Sequence, residues 1–195
     1  MEYIRQYKMY ALLIALVAVG VGIFTLVTLG YYPVAVVGSS FINAHQFNRN
    51  YKAMVIYATA IEKMDPASTT ARENFSPDKI QSLVLEDLIE QKIIAKKLAA
   101  EAGQELPELI ATRVNKFEND NGLQKAAEGL FGLSYDEFKE EVLIPQARRD
   151  ILTGRLFLNG QSFDVWLKDT KKNTNVYIFS PHLKWDKENQ TVEVK

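Results

Sequence analysis

From Ala11 to Leu29 the chain reads ALLIALVAVGVGIFTLVTL, with no charge and two threonines as its only polar side chains. As a helix at 1.5 Å per residue this run reaches about 28 Å, close to the hydrocarbon thickness of a bilayer. Tyr7 and Tyr10 precede it and Tyr31 and Tyr32 follow it, the positions of an interfacial aromatic belt. Arg5 and Lys8 lie before the run, and no basic residue follows until Arg49. The positive-inside rule then predicts a cytoplasmic tail at 1–10, a transmembrane signal anchor at 11–32 and an extracytoplasmic domain at 33–195. A cleaved signal peptide has a shorter apolar core of about 7–15 residues with small residues before the cut. A cut after Ser40 would also remove the β-branched run that follows. The expected localisation is therefore a bacterial cell membrane, single-pass, with the N-terminus cytoplasmic and the lipid bilayer contacting residues 11–32. Ala18 and Gly22 form a small-xxx-small pair of the kind that packs helices together, though one incidental to a segment so rich in these residues.

Beyond the run, punctuation residues set the element boundaries. Val34–Val37 suits a buried strand, Gly38-Ser39-Ser40 a tight turn, and Phe41-Ile42 a second short strand. Asn43 with Gln46 three residues on reads as a helix cap, stapled by Ile42 and Phe47. The spacing of Phe47, Tyr51, Met54, Ala58 and Ile61 predicts a helix over about 44–63, stopped by DPASTT at 65–70. Ser76-Pro77 opens a second helix over about 77–102, closed by Gly103. Its apolar stripe is wide: Ile80, Leu83, Val84, Leu88, Ile89, Ile93, Ile94 and Leu98. A weaker helix is expected over about 107–118, stopped by NDNG at 119–122. A fourth follows over about 134–158, capped by Ser134 and Glu137 and kinked at Pro145. A short helix at 163–171 and closing strands within about 175–195 complete the chain. The fold class expected is mainly α: one transmembrane helix, then a helical domain whose small sheet pairs strands from its two ends, Val34–Val37 with Val176–Phe179.

Chemistry-bearing motifs are scarce. The chain has no cysteine, which excludes disulfides, thiolate metal sites and a cysteine nucleophile. Net charge is −1, so composition forces no nucleic-acid-binding face. No dinucleotide, phosphate-loop, zinc-protease or nucleophile-elbow motif is present. Glu140-Glu141 beside Lys139 reads as a solvated helix face, and His45 lacks companions spaced to share a metal. Trp166 and Trp185 read as sheet or core anchors rather than a ligand cage. Asn189-Gln190-Thr191 matches a glycosylation sequon. No catalytic, cofactor-binding or metal site is expected.

Three blocks, VAVVGSSFINAHQF, KIQSLVLEDLIEQKIIAKKLAAEAG and LFGLSYDEFKEEVLIPQARRDIL, resemble successive segments of the SurA-type N-terminal chaperone domain. FDVWLKDTKKNTNVYIF resembles the helix and strand that close that module. Val37-Gly38 stands where the family has an Asn-Gly turn, and Gln46-Phe47 where it has an acidic-Phe pair. The resemblance covers most of 34–180, and the anchor is similar to the tethered PpiD or PrsA-type arrangement. Relatives often insert a parvulin prolyl-isomerase domain, on the order of 90 residues, before the closing segment. Here only FLNGQS separates the two, and neither His45 nor His182 stands in a parvulin-like motif. The resemblance implies a non-enzymatic, membrane-tethered, ATP-independent chaperone or holdase for unfolded or newly translocated polypeptides.

Candidate client-binding residues are Met54, Ile56, Tyr57, Met64 and Leu85. Methionine adapts to varied partners, and Ile56 and Tyr57 are surplus to the first helix's apolar face. Translocation machinery or a second copy of the chain are the further partners expected. The alternative is a non-catalytic membrane-anchored assembly subunit whose apolar helix faces are permanently covered.

Overall fold

The structure is a computed structural model that describes residues 2–64, 75–117 and 120–195; the side chains of residues 2–12, 64 and 121 lie outside the described set. Helix α1 (Glu2–Thr28) leads into strands β1 (Pro33–Val37) and β2 (Ser40–Asn43) and helix α2 (Ala44–Met64). Helices α3 (Pro77–Ala102), α4 (Leu106–Val114) and α5 (Asn121–Ala126) follow, the last running into a π-helical turn at Ala127–Phe131. Next come α6 (Tyr135–Phe138), a second π-helical stretch (Lys139–Leu143), α7 (Ile144–Leu158) and α8 (Phe163–Asn173). Strands β3 (Val176–Ile178), β4 (Leu183–Asp186) and β5 (Thr191–Val194) close the chain. The stop signals expected at 65–70 and at Asn119 lie outside the described residues.

Among the described residues no helix is long and apolar enough to cross a membrane. This corrects the transmembrane anchor at 11–32, the cytoplasmic tail at 1–10 and the single-pass placement in a bacterial membrane. The side chains expected to flank the anchor, Arg5, Tyr7, Lys8 and Tyr10, lie outside the described set. The fold is mostly helical with a small sheet.

The organising element is α3. Ser76 caps it, its hydroxyl accepting from the Lys79 amide, and Pro77 occupies the first turn, where a missing N–H costs least. Gly103 ends it with a positive φ of 49°. Its buried side chains point in several directions: Val84, Leu85, Leu88 and Ile89 into the main core, Ile94 and Leu98 into a second cluster with Ile151, Leu152 and Leu156 of α7. Apart from Leu83, the wide stripe read from the sequence is thus covered by neighbours on more than one side.

In the three-stranded sheet β1 is central, antiparallel to β2 through Ala35↔Ile42 and Val36↔Phe41 and to β3 through Ala35↔Ile178 and Val36↔Tyr177. Alternation puts Ala35, Val37 and Ile42 into the core and leaves Phe41 and Tyr177 on the outer face. The β4–β5 hairpin, paired from Leu183↔Val194 to Asp186↔Thr191, covers the core with Leu183 and Val192. Asn189 of the sequon sits in its turn and donates to the Asp186 carboxylate at 2.6 Å. Helix α2 starts where Asn43 Oδ1 accepts from the Gln46 amide at 2.7 Å. The link from α1 is held there too: the His45 amide donates to Gly30 at 2.8 Å, the Ala44 amide donates to Tyr32 at 3.0 Å, and Tyr31 stacks on His45.

Pro145 does not break the helical run from Tyr135 to Leu158. It falls in the first turn of α7, and the stretch just before it widens to π geometry. The wider turn absorbs the lost hydrogen bond and the crowding of the Glu141 carbonyl. At the other π-helical turn, Gly132 ends the helix at φ +62°, and a Cβ built there would run into the Ile56 side chain of α2. Gly160 is also left-handed, at φ +70°, but faces open space. Gly160→Ala should therefore cost ~1 kcal/mol for the backbone alone, and Gly132→Ala about 2–3 kcal/mol because Ile56 must also move. Urea unfolding of the two variants checks this, and equal losses would contradict the close packing of Ile56 on Gly132.

Candidate functional site

Helix α2 is gripped on two faces. Against α3 it packs Tyr51 and Ala58, and against the segment 123–143 it packs Ala53, which joins Ala127, Leu133 and Phe138 in a third cluster. Where α2, α3 and the π-to-α7 run diverge, they leave an open cleft of about 260 Å³. Met54 and Tyr57 of α2, Leu83 and Val84 of α3, and Phe131 and Val142 supply its apolar lining. The Tyr57 and Phe131 rings lie nearly parallel with centroids 5.2 Å apart, and Phe131 leans on Phe138 at 5.3 Å. These stacked rings fix one wall. Leu83 is 38% exposed, an apolar side chain of α3 left facing outward. The volume is at the small end of ligand-sized clefts, room for one or two side chains rather than a bulky cofactor.

The rim is polar and braced. Asn50 Nδ2 donates to Glu141 at 2.7 Å, and Arg49 reaches the same carboxylate at 3.3 Å, tying α2 to the π-helical stretch. Arg49 also donates to His45 Nε2 at 2.6 Å. On the opposite rim Asp87 accepts from Gln91 at 2.7 Å and faces Arg149 at 3.8 Å. Burial against the cleft wall pushes the Asp87 carboxyl up, outweighing the Gln91 hydrogen bond and the Arg149 charge that favour its anion. Its side chain keeps 55% of its surface, so water screens the effect.

Arg149 belongs to a longer charge ladder. It donates to Glu90 at 2.9 Å and lies over the Phe163 ring. Glu90 also accepts from Lys171 Nζ at 3.0 Å, and Lys171 donates to Glu86 at 2.8 Å. Glu86 in turn accepts from the Val192 amide at 3.4 Å. One face of α3 is thereby clamped to α7, α8 and β5, and the rim of the cleft is held at a fixed width from that side.

Of the residues expected to touch a client, Met54 and Tyr57 line the cleft. Ile56 points to the other side of α2, 40% exposed and packed on Gly132. Leu85 is fully buried in the main core, so its assignment to client binding is corrected: it cannot meet a ligand without unfolding α3. The Met64 side chain lies outside the described residues. Sequence reasoning missed Phe131, Asn50, Asp87, Glu141 and Arg149. A hint existed for Phe131, an aromatic directly before a glycine placed to end a helix; the rim charges carried no local signal.

Among the described residues no group of His, Asp or Glu is arranged to hold a metal ion. Comparison with family models, curated proteins and solved structures finds no match for the chain.

The ladder gives a pH-dependent test. Burial alone would lower the Lys171 ammonium, but its hydrogen bonds to Glu86 and Glu90 outweigh that and hold it above the ordinary 10.5. A raised folded-state value stabilises fully below the ordinary one, and the gain is lost as pH climbs through the folded value. Stability should therefore fall on titration above pH 10.5. Lys171→Met, which leaves Glu86 without a cation and Glu90 with Arg149 alone, should cost about 3 kcal/mol at neutral pH and flatten the alkaline loss. Denaturant unfolding from pH 7 to 11.5 measures both.

Proposed function

We propose that the protein is an ATP-independent holdase that binds extended apolar segments of unfolded polypeptides, one or two side chains at a time, in the cleft between α2, α3 and α7. The observation that carries this reading is the pairing of an open apolar lining, Met54, Tyr57, Leu83 and Phe131, with a braced polar rim. Such a site offers shallow, sequence-tolerant contact: methionine and stacked aromatics adapt to varied side chains, and the rim can satisfy a client backbone. The order of the blocks similar to the SurA-type chaperone domain supports the same reading. The α3 side chains sealed in the core, such as Leu85, Leu88 and Ile89, do not contribute. Nothing in the proposal requires catalysis or a nucleotide.

A second reading is favoured by α1. From Leu13 to Leu29 its large apolar side chains are exposed on all sides, Phe24 at 72%. A helix apolar all round is ordinarily covered. In this reading the chain is an assembly subunit, and a second copy or a partner covers α1 permanently. Size distinguishes the two: a stable dimer or fixed-stoichiometry complex that protects α1 from exchange favours assembly, and a monomer favours the holdase.

The holdase reading is tested by aggregation of a denatured substrate protein diluted into buffer with excess of the full chain. Suppression is expected, and Leu83→Asp, at an already exposed position, should weaken it about tenfold with little change in unfolding midpoint. Absence of suppression by the folded wild type, or an undiminished Leu83→Asp, rejects the cleft as the client site.

A further inference from the structure

A second cleft lies on the opposite side of α3, between its C-terminal half, the end of β1 and helix α8, with a volume of about 400 Å³. Its accessible apolar wall is Trp166, with the nearly sealed Val37 and Ile93 of the core beneath. Its rim carries three lysines from successive turns of α3, Lys92, Lys96 and Lys97. Only Lys97 is neutralised, by Glu101 at 2.8 Å. Among the described residues, Lys92 and Lys96 have no carboxylate within ion-pairing distance. The Lys96 ammonium stands over the β1–β2 turn, where a Cβ at Gly38 would lie only 3.6 Å from it. Lys92 is half-buried and close enough to the Arg148 guanidinium for the cations to repel. Burial first, and that repulsion second, push its ammonium below the ordinary value, against a weaker pull from Glu141. Glu141 is itself engaged by Arg49 and Asn50 on the far rim. Arg148 Nε is buried without a hydrogen-bond partner among the described residues.

We propose that this cleft binds the free C-terminal carboxylate of a polypeptide whose last side chains are apolar. The charge complement points to an anionic group: two ammonium groups stand at the rim without a carboxylate partner among the described residues. The wall sets the rest. The apolar wall at Trp166 would be left unused by inorganic phosphate, whereas a chain terminus carries its carboxylate one bond from the Cα that bears an apolar side chain. Carboxylate at the rim and side chain on the wall can therefore be satisfied together. An anion here also relieves the repulsion between Lys92 and Arg148, a gain that a neutral ligand cannot provide. The site is independent of the α2–α3–α7 cleft and does not rest on the holdase reading.

The experiment uses the full chain and a short fluorescein-labelled Gly/Ser peptide ending in two leucines, prepared as the free acid and as the C-terminal amide, with binding read by anisotropy. The free acid should bind at least about tenfold more tightly than the amide, the worth of one charge-assisted contact. Lys96→Gln, exposed and unpaired, should weaken the acid several-fold and leave the amide unchanged; Lys92→Gln should do the same, and Lys187→Gln on the distant hairpin should do neither. Equal binding of acid and amide, no binding of the acid, or lysine variants that retain wild-type affinity overturn the proposal. So does inorganic phosphate that displaces the peptide at matching concentration, or laurate that binds where neither peptide does.

Discussion

The structure depends on the burial of α3. A helix of this length with apolar residues on most of its circumference cannot face water, and its neighbours are arranged to prevent that. The sheet and the β4–β5 hairpin cover one side and α7 another, with α2 along its first half. Each of its fully buried large side chains removes apolar surface worth about 1.5–3 kcal/mol, which dominates any single polar contact in the fold. Elements with few apolar residues of their own, such as α8, are held because they lie against this helix: Leu167 and Trp166 reach its core. The two clefts are the places where its neighbours diverge and leave it incompletely covered.

The polar part of α3 is used as fully as the apolar part. Glu86, Asp87 and Glu90 project from consecutive turns and meet cations supplied by α7 and α8. Buried ion pairs add little net stability over an apolar substitute, because desolvation offsets most of the attraction. Their stronger effect is on geometry. Lys171 can satisfy two carboxylates only if α8 sits at one height along α3, and Arg149 does the same for α7. Apolar packing alone permits a helix to slide by a turn; the ladder selects one register and so fixes the width of the cleft beside it.

The local punctuation was legible in the sequence. Asn43, Ser76 and Ser134 cap the helices expected of them, accepting from the amide of the third residue on, and Gly103 ends its helix at positive φ. These signals are short-range, so a linear reading captures them. The antiparallel pairing of β1 with β3 was also within reach, because two short β-branched runs at the ends of a helical domain have few other partners. What the sequence did not yield is whatever depends on relative helix rotation. Leu83 belongs to the α3 stripe by spacing yet faces outward, while Leu85, expected to meet a client, is sealed, since small differences in angle decide which neighbour covers them. The π-helical widening before Pro145 was read as a kink for a related reason: proline reports a lost hydrogen bond, not how the backbone accommodates it. The uncharged run at 11–29 has the hydropathy of a membrane span, yet among the described residues no helix is long and apolar enough to cross a membrane.

The central strand of the sheet imposes an order on biosynthesis. β1 emerges near the start of the chain, but β3, which hydrogen-bonds its second edge, is made roughly 140 residues later. Until then β1 has only β2 beside it, a hairpin too small to stand alone in water. The helices can assemble as they leave the ribosome, while the sheet must wait for β3. A nascent chain stalled before residue 176 would therefore present an open, β-branched edge to other chains in the cell, and release from that hazard comes only once β3 has been made.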